Sequence, residues 1–144
     1  MIVKTVFLPL APQAAFHLFV QKIDLWWPPE RRHARDRASE IFLLASGRFF
    51  ERGRDGQEVE LGCVRAWEFP NRILLDFFIG SGPERPTEVE IVFETQGEGA
   101  KLTLTHRPKP SSEALWSGTA PKYSVSWDIV LAAFARAAGA SCVS

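Results

Sequence analysis

The chain has 144 residues, which suits one compact domain spanning residues 1–144 and leaves too little for two. Seventeen Lys and Arg balance seventeen Asp and Glu, so nothing electrostatic draws the chain to nucleic acid or an anionic membrane, and neither is expected as a partner. Nearly half the residues are apolar, with eleven Phe and five Trp, enough large side chains to build a sizeable core.

The N-terminus, Met1-Ile2-Val3-Lys4, lacks the basic, apolar and cleavable segments of a signal peptide. No apolar run approaches the ~20 residues that cross a bilayer, so a cytoplasmic protein is expected. Residues 3–8 are short, apolar and β-rich and read as a strand. Pro12 then opens a helix in which Ala15, Phe16, Phe19, Val20 and Ile23 recur at helical spacing. Trp26-Trp27-Pro28-Pro29 stops it, because proline cannot continue a helix. Residues 30–37 carry Arg31, Arg32, Arg35, Arg37 and His33; such a run can hold a phosphate, but in a neutral chain it reads as a solvated loop.

A series of strands follows. Residues 40–44 and 47–52 form the first pair, and Asp55-Gly56 supplies a hairpin turn to the next. Residues 57–67 alternate, placing Val59, Leu61, Cys63 and Trp67 on one face and Glu58 and Glu60 on the other. Cys63 is therefore expected to be buried, reduced and inert; with Cys142 near the end it has neither disulfide nor metal-ligand spacing. Residues 73–79 are apolar on both faces except at Asp76, which suits the middle of a sheet. After Gly80-Ser81-Gly82-Pro83, the residues Thr87, Val89, Ile91 and Phe93 alternate with glutamates, and Leu102, Leu104 and His106 share one face of the last strand. Residues 107–120, rich in Pro, Ser and Gly, read as a loop. Residues 121–138 read as a long helix with Tyr123, Trp127, Val130, Leu131 and Phe134 on one stripe.

Consecutive strands joined by tight turns make an antiparallel meander, since parallel neighbours need long crossovers. Its apolar face needs a cover, and the C-terminal helix is the long amphipathic element left to supply it. The expected architecture is α+β: a curved antiparallel sheet of six to seven strands gripping one helix. A curved sheet and a straight helix do not match in shape, so the space between them is either filled by large side chains or left as a pocket.

The ordered set Phe16, Trp26-Trp27-Pro28, Gly47-Arg48-Phe49-Phe50-Glu51, Gly62-x-Val64-x-x-Trp67-Glu68, Pro86-Thr87-x-Val89, Leu102-Thr103-Leu104-Thr105-His106 and Tyr123-x-x-x-Trp127 resembles the activator of heat-shock-protein ATPase homologue branch of the START/polyketide-cyclase (SRPBCC) superfamily. The resemblance covers about residues 5–134. It implies a helix-grip fold with a deep cavity, used across the superfamily to bind lipids, sterols, hormones or polyketides and in some members to catalyse cyclisation or hydrolysis. Ser126 stands where the resemblance leads one to expect a glycine before the helix tryptophan, which narrows the gap between helix and sheet. The chaperone-binding domain of the eukaryotic activators has no counterpart here, and nothing in the sequence supports a chaperone partner.

The candidate ligand contacts are Trp26, Trp27, Phe49, Trp67, Phe77, His106, Trp116, Tyr123, Trp127 and Phe134, with Trp116 placed to gate the mouth. The competing expectation for each aromatic is plain core packing. His106 has two readings: a group that bonds a ligand or moves a proton inside the cavity, or a satisfied core histidine. Asp76, Glu51 and Arg48 are candidate cavity-polar residues, the two carboxylates also candidate acid-base groups. There is no zinc-type histidine cluster, nucleophile elbow, Walker loop or dinucleotide fingerprint, so no metal and no cofactor are expected. Binding of a small hydrophobic or amphipathic molecule leads; a cofactor-independent cyclase, lyase or hydrolase, and a stress-related co-chaperone-like module, are the alternatives.

Overall fold

The computed structural model describes residues 1–32 and 39–139; His33, Arg35, Arg37 and Cys142 lie outside them. Seven strands, β1 (Ile2–Leu8), β2 (Glu40–Leu43), β3 (Arg48–Arg52), β4 (Glu58–Glu68), β5 (Arg72–Phe77), β6 (Thr87–Gln96) and β7 (Gly99–Arg107), form one antiparallel sheet in the order β1-β7-β6-β5-β4-β3-β2. β5 occupies the centre, as its two apolar faces require. Helices α1 (Pro12–Gln21) and α2 (Ile23–Trp26) follow β1, and α3 (Glu113–Ala137) closes the fold against the concave face. No helix among the described residues is long and apolar enough to cross a membrane.

The core lies between that concave face and the helices. Strict alternation on β6 and β7 turns Val89, Ile91, Phe93, Leu102, Leu104 and His106 inward. Phe16 and Phe19 of α1 and Phe134 of α3 meet them, with Phe19 edge-on to Phe134 at 5.1 Å. The convex face is a lattice of ion pairs: Arg48 and Arg52 with Glu58, Arg48 also with Glu60, and Arg72 with Glu90 at 2.6 Å.

α3 begins eight residues before the sequence reading placed it, and residues 113–120 are helix rather than loop. Pro121 sits inside it on the exposed side, and Ser117, whose carbonyl Pro121 leaves without its helical partner, is exposed too. The early start is anchored by tertiary contacts that outrank local propensity. Trp116 packs 5.2 Å from the His106 ring, and the Ser112 hydroxyl donates to the Pro86 carbonyl at 2.9 Å.

β4 departs from simple alternation. Phe49 pairs with Gly62 and Phe50 with Glu60, so Leu61 is surplus on β4; Val64 pairs with Leu75 and Ala66 with Leu74, so Arg65 is surplus as well. The first bulge inverts the inside-outside phase and the second restores it. Gly62 thus faces inward between Phe49 and Phe77, where a Cβ would meet the Asp76 carbonyl at 2.5 Å, and only glycine fits. Cys63 faces outward beside Asp76 and is exposed, contrary to its expected burial. Trp67, beyond the second bulge, is back on the inner side opposite Ile73.

In a Cys142→Ser variant, a thiol reagent should therefore label Cys63 in the folded protein nearly as fast as in the denatured chain. Protection of Cys63 until unfolding would contradict this placement.

Candidate ligand-binding cavity

A cavity of about 540 Å³ opens between the β4–β5 part of the sheet and the middle of α3. Its walls are Val59 and Leu61 of β4, Phe77 at the end of β5, the following residues Phe78 and Ile79, and Tyr123, Ser126, Trp127 and Val130 of α3. The α3 set at i, i+3, i+4 and i+7 is one helical face. Trp27 closes the remaining side, edge-on to Trp127 at 6.3 Å and 83°. Exposed residues Glu30, Arg31, Glu60, Gly80 and Pro83 rim the mouth.

Trp27 is held there by a buried arginine. Arg32 donates to the carbonyls of Trp27 (3.0 Å), Ser39 (2.7 Å) and Asp24 (2.6 Å) and to the Asp24 carboxylate (2.7 Å), whose same oxygen accepts the Ile41 N–H at 2.9 Å. The arginine run is thus not simply solvated: Arg32 is buried and ties the Trp26-Trp27 turn to β2. The opposite rim is latched to α3. Tyr123 donates to the Ile79 carbonyl at 2.7 Å, and Gly80, at φ +84°, lies against the phenol, where a Cβ would come within 2.7 Å of its oxygen. Burial raises the pKa of that phenol, so it is a neutral donor.

His106 sits behind the cavity wall. The Trp127 indole can only donate, and it does so to Nδ1 at 2.9 Å; the proton is therefore on Nε2, 2.7 Å from the Thr87 hydroxyl, which in turn lies 3.4 Å from the Phe77 carbonyl. Burial pushes the His106 pKa down to about 3, so the ring is neutral with both nitrogens engaged. Phe77, Tyr123, Trp127 and Trp116 surround it, and it does not line the cavity. The geometry is that of the satisfied core histidine.

Of the other sequence candidates, Trp27, Phe77, Tyr123 and Trp127 line the cavity. Trp26, Phe49 and Phe134 are buried beside it in aromatic core contacts, Trp26 donating to the Leu18 carbonyl at 3.0 Å. Trp116 packs behind Tyr123 and His106 and gates nothing. Trp67 lines a separate hollow of about 260 Å³ with Phe16, His17, Val20, Gln21 and Phe69. Asp76 and Arg48 are on the convex face, one step out of phase with Leu75 and Phe49. Asp76 bonds Lys109 at 2.7 Å and Arg65 at 2.6 Å; burial alone would raise its pKa, but these two cations outweigh it and hold the carboxyl below the usual aspartate value. Glu51 is buried on the inner face of β3, between Ile41 and Val59, outside the cavity lining. No cluster of three or more His, Cys, Asp or Glu among the described residues could hold a metal.

Residues 11–139 match the family described as activator of Hsp90 ATPase homologue 1-like protein. The chain belongs to that family. Solved structures share the fold of this AHSA1-like chain at low identity. The self-sacrificing resistance protein CalC of Micromonospora echinospora is 18% identical, with a TM-score of 0.69 over 96% of this chain and 93% of CalC. The anthrahydroquino-γ-pyrone synthase Txn09 is 21% identical, with a TM-score of 0.59 over 94% of each chain. Protein CV1439 of Chromobacterium violaceum is 17% identical, with a TM-score of 0.63 over 94% of each. No curated protein matches the chain.

Sequence reasoning missed Ser126, Val130, Val59 and Leu61 as cavity residues. For Ser126 and Val130 the signal was present, because both share the helical face of Tyr123 and Trp127. For Leu61, the bulge that sets its position leaves no trace in the alternation.

Proposed function

We propose that this AHSA1-like protein binds a small hydrophobic or amphipathic molecule in the cavity between β4–β5 and α3. The observation that carries the reading is the wall itself: the aromatic side chains of Trp27, Phe77, Phe78, Tyr123 and Trp127, with aliphatic Val59, Leu61, Ile79 and Val130, around a volume within the usual range for small-molecule sites. Catalysis on this fold, as in the synthase Txn09, calls for titratable groups converging on a substrate. Here the ionisable lining residues do not converge. Glu60 pairs with Arg48 on the convex side, Arg32 is spent on Asp24 and backbone carbonyls, Glu30 and Arg31 are at the rim, and His106 is sealed behind Trp127. Binding is therefore the reading the geometry supports over acid-base chemistry.

The neutral fluorophore N-phenyl-1-naphthylamine tests it. It should bind the wild-type protein saturably, with enhanced fluorescence. Filling the cavity by Leu61→Trp or Val130→Trp should weaken binding at least about tenfold in whichever variant keeps a cooperative melt. Unchanged affinity in a folded, filled variant would place the fluorophore elsewhere and defeat the proposal.

A further inference from the structure

The cavity has many polar atoms near its surface, and nearly all are already spent. Trp127 Nε1 is bonded to His106, Trp27 Nε1 donates to the Arg31 carbonyl at 3.3 Å, Tyr123 donates to Ile79, and Arg32 is satisfied by Asp24, Trp27 and Ser39. Inside the exposed rim, where Glu30 and Arg31 lie, the exception is Ser126. A helical serine can return its hydroxyl to the carbonyl four residues back, as the Thr119 hydroxyl does to Leu115 at 3.0 Å. The Ser126 hydroxyl makes no such bond, and among the described residues it has no hydrogen-bond partner, although it lines the cavity between Tyr123 and Trp127. It is an unpartnered hydroxyl on a residue that lines the space a ligand would fill.

Resting on the binding reading above, we infer that Ser126 is the group that sets ligand specificity, and that the ligand class is a flat, uncharged ring compound bearing a hydroxyl or carbonyl. Three features select that class. The aromatic edges and faces of Trp27, Phe77 and Trp127 favour a ring system over a flexible chain, because rings stack with little loss of freedom. A lone hydroxyl both donates and accepts, so it serves a phenol or a ketone equally well. Among the described residues, a carboxylate or ammonium carried to Ser126 would lose its hydration and meet no opposite charge, since the lining charges without a described partner, Glu30 and Arg31, are of opposite sign and out at the exposed rim.

Equilibrium dialysis with naphthalene, 2-naphthol and 2-naphthoate tests this on the full chain. Wild type should hold 2-naphthol about 3- to 10-fold tighter than naphthalene, the worth of one hydrogen bond, and 2-naphthoate weakest of the three. Ser126→Ala, a helix-compatible change, should bring 2-naphthol and naphthalene to within about twofold of each other while naphthalene binding persists. Ser126→Thr, which keeps the hydroxyl, should retain the preference. A wild-type protein that binds naphthalene and 2-naphthol equally overturns the inference and leaves the binding function standing. So does a preference for 2-naphthol that survives Ser126→Ala, and 2-naphthoate binding as tightly as 2-naphthol removes the requirement for an uncharged ligand. If no probe binds at all, the binding function itself fails and this inference goes with it.

Discussion

Replacing His106 with Ala should destabilise the protein by about 2–4 kcal/mol, read as a shift in the urea midpoint at pH 7. The change empties a fully buried site and strips the Trp127 indole N–H of its acceptor and the Thr87 hydroxyl of a partner, in a place water does not reach. His106→Gln fills more of the space and can still meet one of the two groups, so its loss should be smaller. The same residue makes the stability depend on pH in a defined direction. Burial holds the folded-state pKa near 3, below the ordinary value of 6.5, so the unfolded chain takes up a proton that the folded protein refuses. This contribution is complete above about pH 6.5 and is lost as pH falls from there towards 3. Asp76 also has a lowered pKa and adds its own loss at the acid end, so the informative quantity is wild type minus His106→Gln. A difference that stays flat from pH 7 to 4 would mean that the imidazole is not buried neutral.

Arg32→Met should cost about 3–5 kcal/mol and lower the thermal midpoint by on the order of 10 °C. A methionine fills the channel but leaves the carbonyls of Trp27, Ser39 and Asp24 without their donors. Because those bonds fix the Trp27 side of the cavity, affinity for N-phenyl-1-naphthylamine should fall even where the variant is still folded. Asp24→Asn should be milder: its side chain is partly exposed, and an amide oxygen can still accept from Arg32 and from the Ile41 N–H. Equal melts for wild type and Arg32→Met would show that the buried guanidinium holds nothing together.

The fold was legible because its signals are local. Alternation on β6 and β7, the turn chemistry between strands and the α3 stripe each follow from spacing alone, and together they specify a meander gripping a helix. What was not legible came from contacts between distant residues. Nothing near Arg32 says that it will be buried, since its acceptors include the carbonyl of Ser39, seven residues on. Nothing near Glu113 announces a helix start, which depends on Trp116 reaching His106. Cys63 was placed inside because period-two counting runs straight through a bulge that only the pairing of Phe49 and Phe50 with Gly62 and Glu60 exposes. Four of the cavity's lining residues, Trp27, Phe77, Tyr123 and Trp127, were visible as inward aromatics. Which of them line open space rather than pack on one another is set by side-chain volumes across the sheet, and a pattern of apolar residues does not encode that.

The two surplus residues of β4 give the cavity a way to change size. A strand that carries one more residue than its neighbour bends at that point, and β4 does so twice, at Leu61 in the cavity wall and at Arg65 beyond it. Against β3 the partners on either side of Leu61 already sit in matched register, as do those of Arg65 against β5, so the loss of either residue shortens the strand without re-pairing it with that neighbour. Curvature would change at the cost of few hydrogen bonds, for Leu61 the one its carbonyl accepts from the Phe78 N–H. Elsewhere in β4 a one-residue deletion would slide half the strand and turn its apolar side to water. Length variation among relatives should therefore gather at these two positions, letting one scaffold enclose cavities of different volume by single-residue insertions and deletions rather than by rebuilding its core.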